Sequence, residues 1–311
     1  METKLPDRSV LIAFALTVLF AGNNAIAVRY SNAELPPFFD GAIRLFAASL
    51  IMFILVMVLR LPLPRGRGWL GAVLFGVIGA GLNFALLYWA LEQIQAGLSM
   101  VILALVPLLT FAFACLHKLE VFRWKALFGA VLAVFGIGII VWEQLNANVP
   151  LLPMLAVVGA AACFAESNIV IKKFPQSHPI TTNAIAMGTG SMLLFVLSAL
   201  FHEIPSVPSL PATWEALVYL VIFGSVATFG LSVYVTKSWT ASASSYQFVL
   251  FPIVTIAVSA MLTHEAVTPA LVAGGILVLA GVYIGAIANP ERIRQAYAGF
   301  MARLRPATPD C

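Results

Sequence analysis

The chain is laid out as ten long apolar runs, separated by short stretches that hold charges, prolines or polar clusters. The runs cover approximately residues 9–30, 37–59, 69–91, 96–116, 124–143, 151–171, 180–201, 214–236, 240–262 and 268–288; they are numbered segments 1 to 10 below. About 20 apolar residues wound as a helix span the hydrocarbon core of a bilayer. In lipid a helix is favoured because it satisfies its own backbone polar groups. The runs therefore predict an all-α polytopic membrane protein with ten transmembrane helices. Most connections have fewer than a dozen residues, which leaves no room for an extramembrane domain. Composition agrees, since 61% of the 311 residues are hydrophobic and 10% are charged, against about 45–50% and about 25% in soluble domains. A soluble enzyme and a secreted disulfide scaffold are thereby excluded. Cys115, Cys163 and Cys311 lie far apart and offer no CxxC metal site, and no cofactor is implied.

Lys4 and Arg8 before an apolar run, with Ala25-Ile26-Ala27 after it, could pass for a signal peptide. The run is about 20 residues, longer than a usual signal core, and it has a partner in the repeat described next. It is therefore expected to stay as a span. If residue 1 is cytoplasmic, 15 of the 17 lysines and arginines fall in inward-facing loops or tails. That is the positive-inside bias with both termini cytoplasmic. The net charge of +4 then records topology, not a nucleic-acid partner. The six tryptophans, at 69, 89, 124, 142, 214 and 239, fall near segment ends as an aromatic belt would place them.

A shift of 145 residues aligns the chain with itself. Ala96, Pro107, Glu120, Gly129 and Gly136 map onto Ala241, Pro252, Glu265, Gly274 and Gly281, with spacings of 11, 13, 9 and 7 residues in both halves. Ser99 also falls on Ser244 and Thr110 on Thr255; under a shift of 143, Ile26 and Arg29 map onto Ile169 and Lys172. The unit holds five segments, an odd number, so the two halves enter the membrane in opposite directions. The expected organisation is two inverted five-helix repeats, residues 9–143 and 151–288, followed by a cytoplasmic tail over 289–311. Inverted repeats mark secondary transporters, with the substrate site near the midplane between halves. An inverted-repeat channel shares the pattern.

Ten segments as a five-plus-five repeat, each half ending in Ala-x10-Pro-x12-Glu followed by glycines, resembles the drug/metabolite transporter superfamily in its EamA-type exporter branch. Within that branch the sequence is similar to bacterial aromatic amino acid exporters through overall likeness and not through a diagnostic motif. The resemblance covers roughly residues 9–288. It implies a bacterial inner-membrane protein in which segments 3, 4, 8 and 9 surround a central cavity and segments 1, 2, 6 and 7 rock around them.

The scarce polar residues at membrane depth are the candidates for the site, because they are costly there unless they meet partners or water. Asn23 and Asn24 in segment 1 mirror Glu166 and Ser167 in segment 6, with Asn168 beside them, and Asn83 in segment 3 mirrors Thr228 in segment 8. They read either as substrate ligands or as interhelical glue. Glu166 could attract a substrate ammonium or carry a coupling proton. Asp40 and Arg44 stand four apart on one face of segment 2; they would neutralise each other, or form an outer gate or a carboxylate site. Segment 9 opens on small polar residues, with Ser244, Tyr246 and Gln247 suited to a wet wall and Ser99 their counterpart in segment 4. Tyr88, with Trp89 and Tyr234, could stack on an aromatic ligand or anchor at the interface. Pro107 and Pro252 invite kinks at matched depth. The motif glycines offer small faces for close helix packing.

There is no Walker A motif for ATP drive, and no basic cluster of the kind a phosphate carrier needs. The reading is thus an exporter of small amphipathic metabolites, amino acids including aromatic ones, by alternating access. Its partners are a small-molecule substrate and membrane lipid. A multidrug exporter of hydrophobic cations, which would need a central ionised Glu166, and a passive solute channel stand as alternatives.

Overall fold

A computed structural model describes residues 7–119, 122, 124–146, 150–175, 177–238, 247–262 and 267–284. Every regular element among them is helical. Seven helices are long and apolar enough to cross a membrane, covering Arg8–Ser31, Pro37–Val58, Arg67–Leu91, Ala96–Leu116, Leu151–Lys173, Pro179–Leu200 and Pro211–Ser232. Three shorter apolar helices, Leu127–Ile140, Leu250–Leu262 and Pro269–Val282, lie within segments 5, 9 and 10. The outer surface carries large apolar side chains such as Ile12, Met57, Phe128, Phe135 and Met192. A surface of that kind is stable against acyl chains and not against water. The chain is an integral membrane protein.

Segments 2 and 7 both begin with proline at the first helical turn, Pro37 and Pro179. There its missing N–H costs nothing and its fixed φ starts the helix. These two segments pack along each other, as do segments 5 and 10. Segment 1 packs on segments 8 and 9, and segment 6 packs on segments 3 and 4. Adding five to every segment number turns each of these pairs into another of the set. The halves are therefore interleaved, each supplying a helix that lies in the groove of the other.

Small residues allow the closest of these approaches. A Cβ placed on Gly136 in segment 5 would sit 2.6 Å from the Gly274 carbonyl oxygen in segment 10. At the repeat-equivalent crossing, a Cβ on Gly281 would strike the Gly129 carbonyl. The motif glycines at these four positions are the seam of the 5–10 pair. Gly138 faces open space and Gly275 has only ordinary contact with Val101, so neither belongs to it. Glu120 and Glu265 lie outside the described residues.

Four segments are irregular near mid-length. Segment 1 breaks at Asn23, between Arg8–Gly22 and Asn24–Ser31. Segment 4 breaks at Ala104 and Leu105, and Pro107 is the second residue of the helix that follows. Segments 3 and 8 widen into π-helical turns over Gly76–Leu82 and Ile222–Ala227. Under the 145-residue shift these two turns overlap, and each is followed at once by the mirrored pair Asn83 and Thr228. Wide turns of this type recur at functional sites because they leave backbone groups for other partners. Pro252, by contrast, sits inside the unbroken helix Gln247–Leu262.

Candidate functional site: a central cavity beside a buried arginine

Between the halves lies a cavity of about 190 Å³, below the roughly 300–1,000 Å³ usual for drug-sized ligands. Segments 1, 3, 4, 8 and 9 line most of it, with Arg44 from segment 2 and Phe164 from segment 6. Its walls are mainly apolar and aromatic, including Phe84, Leu87, Met100, Phe229 and Phe251. The irregular parts of the helices meet here, since Asn24, Asn83, Ala104, Gly224 and Thr228 all belong to the lining.

The wide turn of segment 8 organises one side. Ser225 Oγ donates to Leu220 O at 2.9 Å and Thr228 Oγ1 donates to Phe223 O at 2.7 Å, each reaching five residues back. Gly224 O accepts from outside its own helix. It takes Asn24 Nδ2 at 3.3 Å and Arg44 Nη2 at 3.1 Å. Only glycine fits that position, because an added Cβ would collide with Asn24 Oδ1 and lie 3.2 Å from Arg44 Nη2. The repeat-equivalent contact is between Gly79 and Ser167, where a Cβ would lie 2.5 Å from the serine hydroxyl. Segment 1 thus presses on the wide turn of segment 8 as segment 6 presses on that of segment 3.

The symmetry fails at Arg44, whose repeat partner is Met187. In the first half, glycines let segment 7 touch the wide turn directly; a Cβ on Gly190 would lie 2.7 Å from Ala80. In the second half, the guanidinium stands between segment 2 and the turn. Arg44 is 2% exposed. Its Nε donates to Ser225 Oγ at 3.1 Å and its Nη1 to Tyr88 OH at 3.0 Å. The ring of Phe84 lies beneath it, 5.0 Å from the guanidinium carbon, and stacks on Tyr88. Asp40 does not pair with it. That carboxylate, also fully buried, accepts from Ser31 Oγ. The segment 2 charges therefore turn to separate partners, although they share one face of the helix.

The structure gathers Asn24, Asn83, Tyr88, Thr228, Gln247 and Arg44 around the cavity. Asn83 Nδ2 also donates to Ala160 O at 2.7 Å, tying segment 3 to segment 6. The remaining candidates lie outside the lining. Asn23 donates to Leu19 O in its own helix, and Ser99 to Ala96 O one turn back. Asn168 is half-buried on segment 6. Asp40, Pro107 and Pro252 stand behind the wall or beyond it, and Trp89 and Tyr234 do not reach it. Ser244 and Tyr246 fall outside the described residues.

Glu166 is also away from the cavity. Its carboxylate meets His117 Nε2 at 2.9 Å, and Lys173 Nζ meets His117 Nδ1 at 2.8 Å. Both members of the Glu166–His117 pair are about a third exposed, at 33% and 29%. His117 lies just past the end of segment 4, so the pair marks one end of the bundle and not its centre. The contact is an ion pair only when His117 is protonated. Nothing in the sequence near His117 advertised it.

The opposite end holds two carboxylates that sequence reasoning missed. Glu34, between segments 1 and 2, accepts from the backbone of Ser209 and Leu210 and from the hydroxyls of Ser209 and Thr213. Those hydrogen bonds, the Ser209 hydroxyl first, hold its pKa down from 4.5 to about 2. It caps the first turn of segment 8. Glu203, between segments 7 and 8, accepts from Phe38 N at 3.0 Å and Phe39 N at 2.8 Å, and so caps segment 2. Each half thus supplies the anion for a helix N-terminus of the other, where the helix dipole favours negative charge. Glu92 stands nearby with its pKa raised, mainly by burial and then by the charge of Glu203.

A polytopic helical protein with inward-facing polar groups around one cavity has the build of a membrane transporter. Residues 8–142 and 151–286 each match the EamA-like transporter family, and the chain belongs to that family. It is 25% identical to a protein of Salmonella typhimurium named "Probable amino-acid metabolite efflux pump", covering 86% of this chain and 92% of that one. A Bacillus subtilis protein, "Uncharacterized transporter YoaV", is 22% identical over 91% of this chain and 98% of its own. A solved crystal structure with 17% sequence identity superposes with a TM-score of 0.63, covering 93% of this chain and 98% of that one. That likeness is one of fold.

Proposed function

We propose that this chain is a secondary transporter that exports small amphipathic metabolites, amino acids and aromatic ones among them, by alternating access across a bacterial inner membrane. In this reading all ten segments span the bilayer as two inverted repeats, residues 9–143 and 151–288. Both termini, with the tail over 289–311, face the cytoplasm. The observation that carries it is the small aromatic-walled cavity at the junction of the two halves, lined by Gly224 in the wide turn of segment 8 and by Asn83, which directly follows the wide turn of segment 3. A site at the interface of inverted repeats, built on interrupted helices, is what alternating access requires. The relatives from Salmonella typhimurium and Escherichia coli, each 25% identical and named "Probable amino-acid metabolite efflux pump", support amino-acid metabolites as cargo. A hydrophobic-cation exporter is disfavoured, because Glu166 is paired with His117 and no Asp or Glu is in the described lining.

Counterflow tests the proposal. In proteoliposomes preloaded with unlabelled phenylalanine, uptake of labelled phenylalanine should saturate and should overshoot relative to empty vesicles. Uptake that neither saturates nor responds to preloading would identify a channel instead.

A further inference from the structure

Arg44 is a cation buried in a membrane protein, yet every group it bonds is neutral. Its three hydrogen bonds go to a serine hydroxyl, a tyrosine hydroxyl and a backbone carbonyl. A guanidinium has five N–H donors, so two are left without a partner among the described residues. The Tyr88 hydroxyl accepts from Arg44, and its own hydrogen has no acceptor there either. Asp40, one turn back on the same helix, accepts from Ser31 through one oxygen and makes no hydrogen bond to the guanidinium. Among the described residues, no acidic side chain lines the cavity that adjoins the guanidinium. A buried charge with no hydrogen-bonded counterion is held at a cost, and an anionic guest would lower it.

We infer that the cavity binds its ligand by a carboxylate at Arg44 and Tyr88, with the ligand's apolar part lying against the aromatic wall. The assignment rests on the reading of the cavity as the transport site, and it narrows the ligand class. Planar N–H pairs on guanidinium match the two oxygens of a carboxylate, and the Tyr88 hydroxyl adds a third donor. Nothing of opposite charge awaits an ammonium group. The carboxylate is thus the required element and the α-amino group is optional. Amphipathic monocarboxylates with an aromatic or branched apolar body form the ligand class, amino acids being one subset. Hydrophobic amines fall outside it.

Three compounds of one shape test this on the detergent-solubilised full chain: phenylalanine, 3-phenylpropionate and phenethylamine. Thermal stabilisation reads binding and counterflow reads transport. Phenylalanine and 3-phenylpropionate should both stabilise the wild-type protein, with phenethylamine at least ~10-fold weaker, the loss of a charged hydrogen bond. Arg44→Lys, which keeps the charge but not the fork, should weaken both acids and leave the amine unchanged. Should Arg44→Lys disturb the packing of the three segments the arginine joins, the wild-type panel stands without it. Stabilisation by the amine as strong as by the acids overturns the carboxylate site, as does stabilisation by none of the three. Binding of both acids without counterflow would leave the site standing and remove the transport reading.

Discussion

At the residue scale the most exacting position is Gly224. Its carbonyl is shared by Asn24 and Arg44, and its missing side chain is what lets Asn24 approach. Gly224→Ala should destabilise the protein by about 1–3 kcal/mol, the usual cost of overpacking a close contact, and lower the rate of export. Adding Asn24→Ala should recover part of the lost stability, as measured by thermal unfolding in detergent. A loss that the second change does not recover would place the strain elsewhere. The individual polar residues were only half legible in the sequence. Depth within a segment pointed to Asn24, Asn83 and Thr228, because polar groups in lipid need a reason, whereas Arg44 read as half of a charge pair with Asp40 near the outer boundary. Depth alone could not tell which way each side chain turned. Asn23 and Ser99 satisfy their own helices, and Glu166 pairs with a histidine from the turn after segment 4. Such partners come from tertiary packing, and no spacing along the chain announces them.

At the scale of elements, the two wide turns and the two carboxylate caps define what holds the bundle and what interrupts it. Repeat spacing paired Asn83 with Thr228 at matched depth, and each directly follows a π turn, but the spacing announced neither turn. Run length and hydropathy report neither a wide turn nor a break, since both conserve apolar character. Segments 1, 3 and 8 each read as continuous. The caps were hidden for a related reason, because loop glutamates are ordinary and their partners lie more than 160 residues away. Glu34 has a consequence that can be measured. Its carboxyl stays ionised down to about 2, while an unrestrained one takes a proton near 4.5. Its contribution is therefore complete above pH 4.5 and is lost as pH falls toward 2. Glu34→Gln should mimic that loss at neutral pH, speeding hydrogen exchange over residues 204–213 while leaving the far end near His117 unaffected. Equal protection of that loop in both proteins would deny the cap its role.

For the whole molecule, the interleaved halves explain why one side of the cavity differs from the other. A perfectly symmetric pair would have packed segment 2 on the segment 8 turn as tightly as segment 7 packs on that of segment 3. The side chain of Arg44 takes up that seam and leaves a charge beside the cavity. A charge so placed is also coupled to the membrane voltage. In a carrier that opens alternately to its two sides, most of the potential falls across whichever barrier is closed. A fixed cation beside the cavity is then moved electrically whenever the barrier changes sides. Moving one elementary charge through 100 mV is worth about 2.3 kcal/mol, so even a partial passage alters the balance of the two empty states. A bound carboxylate cancels the charge, and the loaded carrier crosses without that bias. Net efflux, which requires the empty carrier to return, should therefore change several-fold when a potassium diffusion potential is imposed on proteoliposomes. Exchange, in which both crossings are loaded, should stay nearly constant, and removing the positive charge from Arg44 should abolish the difference. This departure from symmetry would then make the protein sensitive to the electrical state of the membrane that contains it.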